Sequence, residues 1–369
     1  MALRAASGPA AERAEARPVA VWLLACCALV FAMVVVGGVT RLTHSGLSIT
    51  QWQPIVGTLP PLETQAWNEA FLNYQATPEY REVNRGMTLD GFKTIFWWEY
   101  AHRLLGRAVG AVFLLPLLWF TLRRKLPKGL GARLLAIFAL GGLQGALGWY
   151  MVQSGLVDDP RVSQIRLALH LGLAFLIFGA MLWTALSLLR DAPAPDIARE
   201  ATLRRFAWTL VALVFVMVLA GGLVAGTRAG FAYNSFPLMA GALVPSEIMS
   251  IEPWYLNFVN NMATVQFDHR AIAWVLMLAV PLFWWRIARR HGLPASARRG
   301  ASVLLVLLAL QIILGIATLL LVVPLPLAAA HQAGALMVFA AALNVAHVLR
   351  GRSSREPGIG PVRTIKIPR

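Results

Sequence analysis

Long apolar runs dominate the chain, broken by short polar or basic stretches. Eight runs reach the roughly 20 residues that a helix needs to cross a bilayer. They lie at about 19–38, 96–122, 131–152, 165–189, 206–227, 266–286, 301–323 and 328–349. The gaps between them alternate in character. Of the 33 Lys and Arg, 23 fall in five clusters: the N-terminal tail, Arg123 to Arg133, Arg190 to Arg205, Arg286 to Arg299 and Arg350 to Arg369. These occupy every second gap, as the positive-inside rule expects, so both termini are placed in the cytoplasm. The other side receives two long loops, 39–95 and 228–265, and two short ones near 153–164 and 324–327. Within the first long loop, Leu62 to Tyr74 is expected to form a short helix over the mouth of the first module.

Composition agrees with this layout. The chain of 369 residues is 58% hydrophobic, with a mean hydropathy of +0.64, above the share usual in soluble domains. The net charge of +16 could suggest nucleic acid, but its placement makes it a topology signal instead. Cys26 and Cys27 are adjacent in the first run, with no other cysteine to pair with, so they are read as small core residues. Glu12 and Glu15 among the arginines of the tail argue against a transit peptide, and the first run is read as a retained helix.

The halves resemble each other. Gly37-Gly38 followed by Thr40-Arg41 recurs as Gly221-Gly222 followed by Thr227-Arg228. His102 maps to His269 and Gln144 with Gly148 to Gln311 with Gly315, both at an offset of 167, while His170 maps to His331 at 161. A shared offset across two helices points to duplication, and four spans per half makes the repeat parallel. The expected fold is an all-α polytopic membrane protein, its eight helices forming two tandem four-helix bundles. The expected divisions are a tail at 1–18, halves at 19–190 and 206–350, a linker at 191–205 and a tail at 351–369.

Seven histidines are present. His44 in the first loop, and His291 and His347 near cytoplasmic ends, are expected to be solvated or interfacial. The other four, His102, His170, His269 and His331, each sit some four to six residues inside the external end of an even-numbered run. At about 1.5 Å per residue they share one depth, roughly 6–9 Å below the boundary. A pair of imidazoles from facing helices suits a porphyrin iron clamped from both sides. Zinc would want three or four ligands per site, which no cysteine or carboxylate cluster supplies. The reading is two bis-histidine haem sites, His102 with His170 and His269 with His331.

Gly106 and Gly110 after His102, and Gly334 after His331, leave room for a flat ring, although small residues also serve ordinary helix packing. Arg103 and Arg270 adjoin histidines, and Arg41 and Arg228 stand where the first helix of each half emerges. Any of the four could pair with a haem propionate or anchor the interface. The halves differ at one informative place: Glu99, three residues before His102, is replaced by Gln266 before His269. A carboxylate beside one porphyrin makes the first half the reactive one.

On these residues the sequence resembles the haem A synthase family. The stretches that carry the likeness are Gly37-Gly38-Val39-Thr40-Arg41-Leu42-Thr43 with Ser45-Gly46-Leu47-Ser48, Glu99-Tyr100-Ala101-His102-Arg103, His170, Phe267-Asp268-His269-Arg270 and His331-Gln332. Loop cysteine pairs known in some bacterial members are missing, so the chain looks like the branch found in alphaproteobacteria and mitochondria. The resemblance implies oxidation of a ring methyl of haem O to a formyl group by successive hydroxylations, giving haem A for cytochrome c oxidase. It implies haem b at His269 and His331, substrate haem at His102 and His170, and Glu99 as the catalytic glutamate.

Two other classes compete. One is an electron-transfer cytochrome linked to quinol, disfavoured because the four histidines share one leaflet. The other is a haem transporter or chaperone, for which the Glu99–Gln266 difference has little use. The expected setting is a bacterial inner membrane with the haem sites toward the periplasm. The expected partners are haem O synthase, oxidase assembly factors, an electron acceptor of unassigned identity and lipid, with no nucleic acid, and the bundle could form homo-oligomers.

Overall fold

The computed structural model describes residues 9–53, 56–157, 159–190 and 200–350. Parts of the expected tails and of the 191–205 linker lie outside them. The described residues form helices and loops, with one isolated bridge between Met239 and Ala242. The eleven α-helices are α1 Pro9–Leu42, α2 Thr64–Gln75, α3 Pro78–Glu82, α4 Leu89–Leu122, α5 Leu130–Gln153, α6 Gln164–Leu189, α7 Ala201–Thr227, α8 Asn257–Asn260, α9 Met262–Arg289, α10 Ala295–Leu320 and α11 Leu325–Val348. Eight are long and apolar enough to span: α1 from Glu15, then α4, α5, α6, α7, α9, α10 and α11. Each coincides with one expected run.

Ends differ from the apolar runs where a polar side chain pays for an extra turn. The Thr88 side chain accepts from the Gly91 amide, so α4 begins two turns before its apolar run. Asn261 accepts from the amides of Ala263 and Thr264 at 2.8 and 3.2 Å and starts α9 ahead of Gln266. The first turns of α4 carry Phe92 and Phe96, which pack with Trp67, Phe71 and Tyr74 of α2. Thus the helix expected at Leu62 to Tyr74 exists, and an aromatic cluster holds it on the outer end of α4.

Two helices of each half form the centre, α1 and α6 against α7 and α11, with α4, α5, α9 and α10 outside them. Close crossing needs small residues. Gly172 faces Leu219 and Phe215, Gly179 faces Phe339 and Leu343, and Gly222 lies against the backbone of Ala168. Phe175 and Phe339 fill the space between, their rings 5.4 Å apart. Leu115, Leu135, Leu278 and Ile313 remain exposed on the outer helices, as a lipid-facing surface requires. Matching contacts in the two halves are consistent with the internal repeat.

His347 corrects one expectation. It is fully buried, not solvated. The Trp183 ring meets it edge-on at 4.8 Å, Ser187 Oγ lies 3.0 Å from its Nε2, and Arg190 and Arg350 approach its Nδ1 at 3.3 and 2.9 Å. The cause was visible as helical spacing. His347 continues the stripe Leu336, Phe339, Leu343 that faces the first half. His44 and His291 are exposed, as expected.

Candidate functional site

The four histidines are placed by one rule used four times. Each imidazole lies against a glycine of the neighbouring helix in its own half. A Cβ at Gly37 of α1 would come within 2.9 Å of His102 Nε2, and one at Gly148 of α5 within 2.9 Å of His170 Cε1. In the second half, a Cβ at Gly221 of α7 would lie 3.4 Å from His269 Cε1, and one at Gly315 of α10 2.8 Å from His331 Cε1. At Gly37, Gly148 and Gly315 only a residue without a side chain lets the ring sit there, whereas a Cβ at Gly221 would make ordinary contact. Gly37 and Gly148 are the repeat counterparts of Gly221 and Gly315, so the same helix pairs make the same contact in both halves.

One turn before Gly148, Gln144 donates to the backbone carbonyl of His170 at 3.0 Å, and Gln311, one turn before Gly315, donates to that of His331 at 2.8 Å. Both histidines therefore have a fixed backbone as well as a fixed ring. His102 lies within electrostatic range of His170, and His269 within range of His331. The expected pairs are brought together.

These residues fit a porphyrin iron. Nδ1 of His170, His269 and His331 is buried with no protein partner, although a buried polar atom almost always finds one. These nitrogens are available as donors, and two rings per half match the donor set of a haem. The glycines expected to make room behave differently from one another. Gly106 faces the methyl of Met33 and Gly334 faces the Gln311 side chain, whereas no protein atom comes within 4 Å of a Cβ at Gly110.

Glu99 is buried and held by donors on both oxygens. Arg103 donates to Oε1 from Nη2 at 2.7 Å and from Nε at 3.0 Å. Ser48 Oγ and the Ile49 amide donate to Oε2 at 2.7 and 2.8 Å. Gln266 occupies the same place in the second half. Its Oε1 accepts from Arg270 Nη2 at 3.1 Å, and its Nε2 donates to the Ala229 carbonyl at 2.8 Å. An amide can use both an acceptor and a donor, so the second half offers it a carbonyl where the first half offers Ser48 and Ile49. Ser48 was legible only as part of a familiar stretch, since its partner is 51 residues away.

The arginines divide into two sets. Arg103 also donates to the carbonyls of Ile49 and Gln51, and Arg270 to those of Tyr233 and Leu238. These two spend their guanidinium edges clamping the loops to the helices. Arg41, which also donates to the Ala225 carbonyl, and Arg228, from different halves, line one small cavity of about 60 Å³, together with His44, Gly46, Leu47, Glu79, Arg161 and Gly226.

Comparison with known proteins adds the following. Residues 20–343 match the cytochrome oxidase assembly protein family. A protein of Nitrosospira multiformis named Heme A synthase is 60% identical over 337 residues, covering 90% of this chain and 94% of its own. Its namesake from Nitrosomonas eutropha is 55% identical over 334 residues, covering 90% and 94%. One from Rhodospirillum centenum is 49% identical over 350 residues, covering 95% and 93%.

Proposed function

The chain belongs to the cytochrome oxidase assembly protein family, and we propose that within it this protein is a haem A synthase, oxidising a ring methyl of haem O to a formyl group. The half at 19–190 is the substrate unit, with His102 and His170 gripping haem O. The half at 206–350 is the cofactor unit, in which His269 and His331 would hold haem b. The observation that carries this reading is the difference in charge between the two corresponding positions, Glu99 against Gln266.

Haem b, when bound, supplies one-electron redox chemistry at the second site. The residues of the chain do the rest. Glycine contacts at Gly37 and Gly148 set the imidazoles that orient the substrate plane. Glu99 shares a helix face with His102, three residues away. Arg103, Ser48 and Ile49 hold its carboxylate before substrate arrives, so its charge needs no reorganisation during reaction. There it stabilises positive charge developing at the oxidised methyl or positions the water that adds there, the electrons removed going on to the electron acceptor. The second half, with an uncharged amide at this place, has no equivalent group. The reading puts both termini in the cytoplasm of a bacterial inner membrane and the sites toward the periplasm, near haem O synthase and oxidase assembly factors.

Pigment extraction tests it. Membranes holding the wild-type chain and a supply of haem O should yield the formyl porphyrin. Glu99→Ala should keep the haem b spectrum and yield no haem A. Unchanged product from that variant defeats the role of Glu99, and wild-type membranes that return only haem B and unaltered haem O favour the cytochrome or transporter classes.

A further inference from the structure

Arg41 and Arg228 reach one cavity from opposite halves. Arg41 sits in the last turn of α1, four residues beyond Gly37, the residue against His102. Gly226 and Arg228 follow Gly221, the residue against His269, by five and seven residues. At about 1.5 Å per residue the cavity therefore stands roughly 6–10 Å outward of both histidine layers.

The walls are unusual in two ways. Arg228 and His44 both have left-handed backbones, φ 59° and 53°, a conformation that L-residues seldom adopt and that concentrates at binding sites. Their side chains meet across the cavity, Arg228 Nη2 lying 3.5 Å from His44 Nδ1. The second feature is charge. Arg41 and Arg228 are close enough to repel, and among the described residues neither forms an ion pair with a carboxylate. Arg161 is already paired with Asp159 at 3.0 Å. Glu79 is the one acid in the wall, buried and in contact with the Tyr74 hydroxyl at 3.3 Å. Burial pushes its carboxyl up to about 7, so near neutral pH it offsets only part of the charge. His44 is held below its usual range by burial and by both arginines, so it stays neutral and adds no charge.

We propose that Arg41 and Arg228 form one shared carboxylate site, which takes propionates of the porphyrins in both halves and so ties the two haem sites together at the junction. Guanidinium is the group best shaped to hold such an oxyanion by paired hydrogen bonds. Arg103 and Arg270, the other candidates, donate to carbonyls of their own loops, although Arg270 Nε keeps no partner, and Arg41 reaches across to donate to the Ala225 carbonyl. The inference rests on the proposed haem sites, and the critical consequence is that a first-half residue acts on the second-half haem.

The test is a redox titration of the haem retained by the purified full chain. Arg228→Gln and Arg41→Gln should each lower its midpoint potential, because each removes a positive charge beside a propionate. Arg41→Lys and Arg228→Lys should restore part of the shift, and they carry the experiment if the Gln variants do not accumulate. A shift with Arg228→Gln alone means two separate sites and overturns the proposal, as does no shift with either. A parallel titration in detergent with and without phosphatidylglycerol separates the sources of oxyanion. If the wild-type potential moves with the lipid and Arg41→Gln abolishes that response, the occupant is a lipid phosphate and the proposal is wrong. His269→Ala stands apart as a control: if it leaves the spectrum unchanged, the haem assignment fails, whatever the arginines do.

Discussion

Glu99 and Gln266 amount to a natural substitution within one molecule, and that makes the conservative variant informative. In the second half a glutamine already satisfies the helix arginine, accepting from Arg270 while donating to the Ala229 carbonyl. Glu99→Gln keeps an acceptor for Arg103 but turns an amide N–H toward the Ile49 amide, so it should fold with a smaller loss than Glu99→Ala, keep the haem of the second half and lose product. Glu99→Ala would leave Arg103, Ser48 and the Ile49 amide without their acceptor, at a cost of about 2–3 kcal/mol. The two variants should thus show equal loss of haem A but different melting temperatures. Equal melting temperatures would mean that the Arg103 contact contributes nothing to the fold. The glycines make a second residue-scale prediction. Gly315→Ala puts a methyl 2.8 Å from the His331 ring, so the imidazole must shift. Overpacking of this kind costs about 1–3 kcal/mol, and the expected result is a lower haem b content with haem O binding intact, read as the ratio of the two pigments in the extract.

Among the elements, the outer cap formed by α2, α3 and the first turns of α4 carries the pH dependence. Glu79 begins α3, where Thr77 caps the helix and Tyr74 covers the carboxyl. Burial raises this carboxyl from 4.5 to about 7. A group raised in the folded state binds its proton more tightly there than in the unfolded chain, so stability falls as pH climbs from about 4.5 to 7 and levels off above. The full effect would be about 3 kcal/mol. Melting followed by tryptophan fluorescence between pH 5 and 8 should show this decline in the wild type, and Glu79→Gln should flatten it. An identical slope in the variant places the titrating group elsewhere. The cap also shows where sequence reading reaches its limit. Apolar length alone located all eight spans, because burial in lipid demands both composition and extent. It missed the two extra turns of α4, whose support is the aromatic packing of Phe92 and Phe96 on α2, a contact between segments far apart in the chain. The histidines were legible through repeat offsets, but the glycines that seat them were not, since Gly37 and His102 meet only once α1 packs on α4.

For the whole molecule, the decisive contact is the crossing of the two halves. Helices in a bilayer gain little from burying apolar surface against one another, so close approach of backbones has to hold them together. Gly222 of α7 lies on Ala168 of α6, where a Cβ would come within 2.9 Å of the Ala168 Cα. That neighbour is backbone and cannot turn aside, so Gly222→Ala forces the helices apart. Two residues along α6 from Ala168 stands His170, and one residue before Gly222 stands Gly221, the seat of His269. A displacement at this crossing therefore reaches a ligand of each porphyrin at once, whereas a change at Gly315 touches only one. Gly222→Ala should lower haem content at both sites together and reduce thermal stability by about 1–3 kcal/mol. Gly142→Ala supplies the comparison, since no protein atom lies within 4 Å of a Cβ there and the helix should gain slightly from the substitution. Loss at one site alone, with the other pigment at its wild-type level, would show that the halves hold their haems independently and that the crossing serves only assembly.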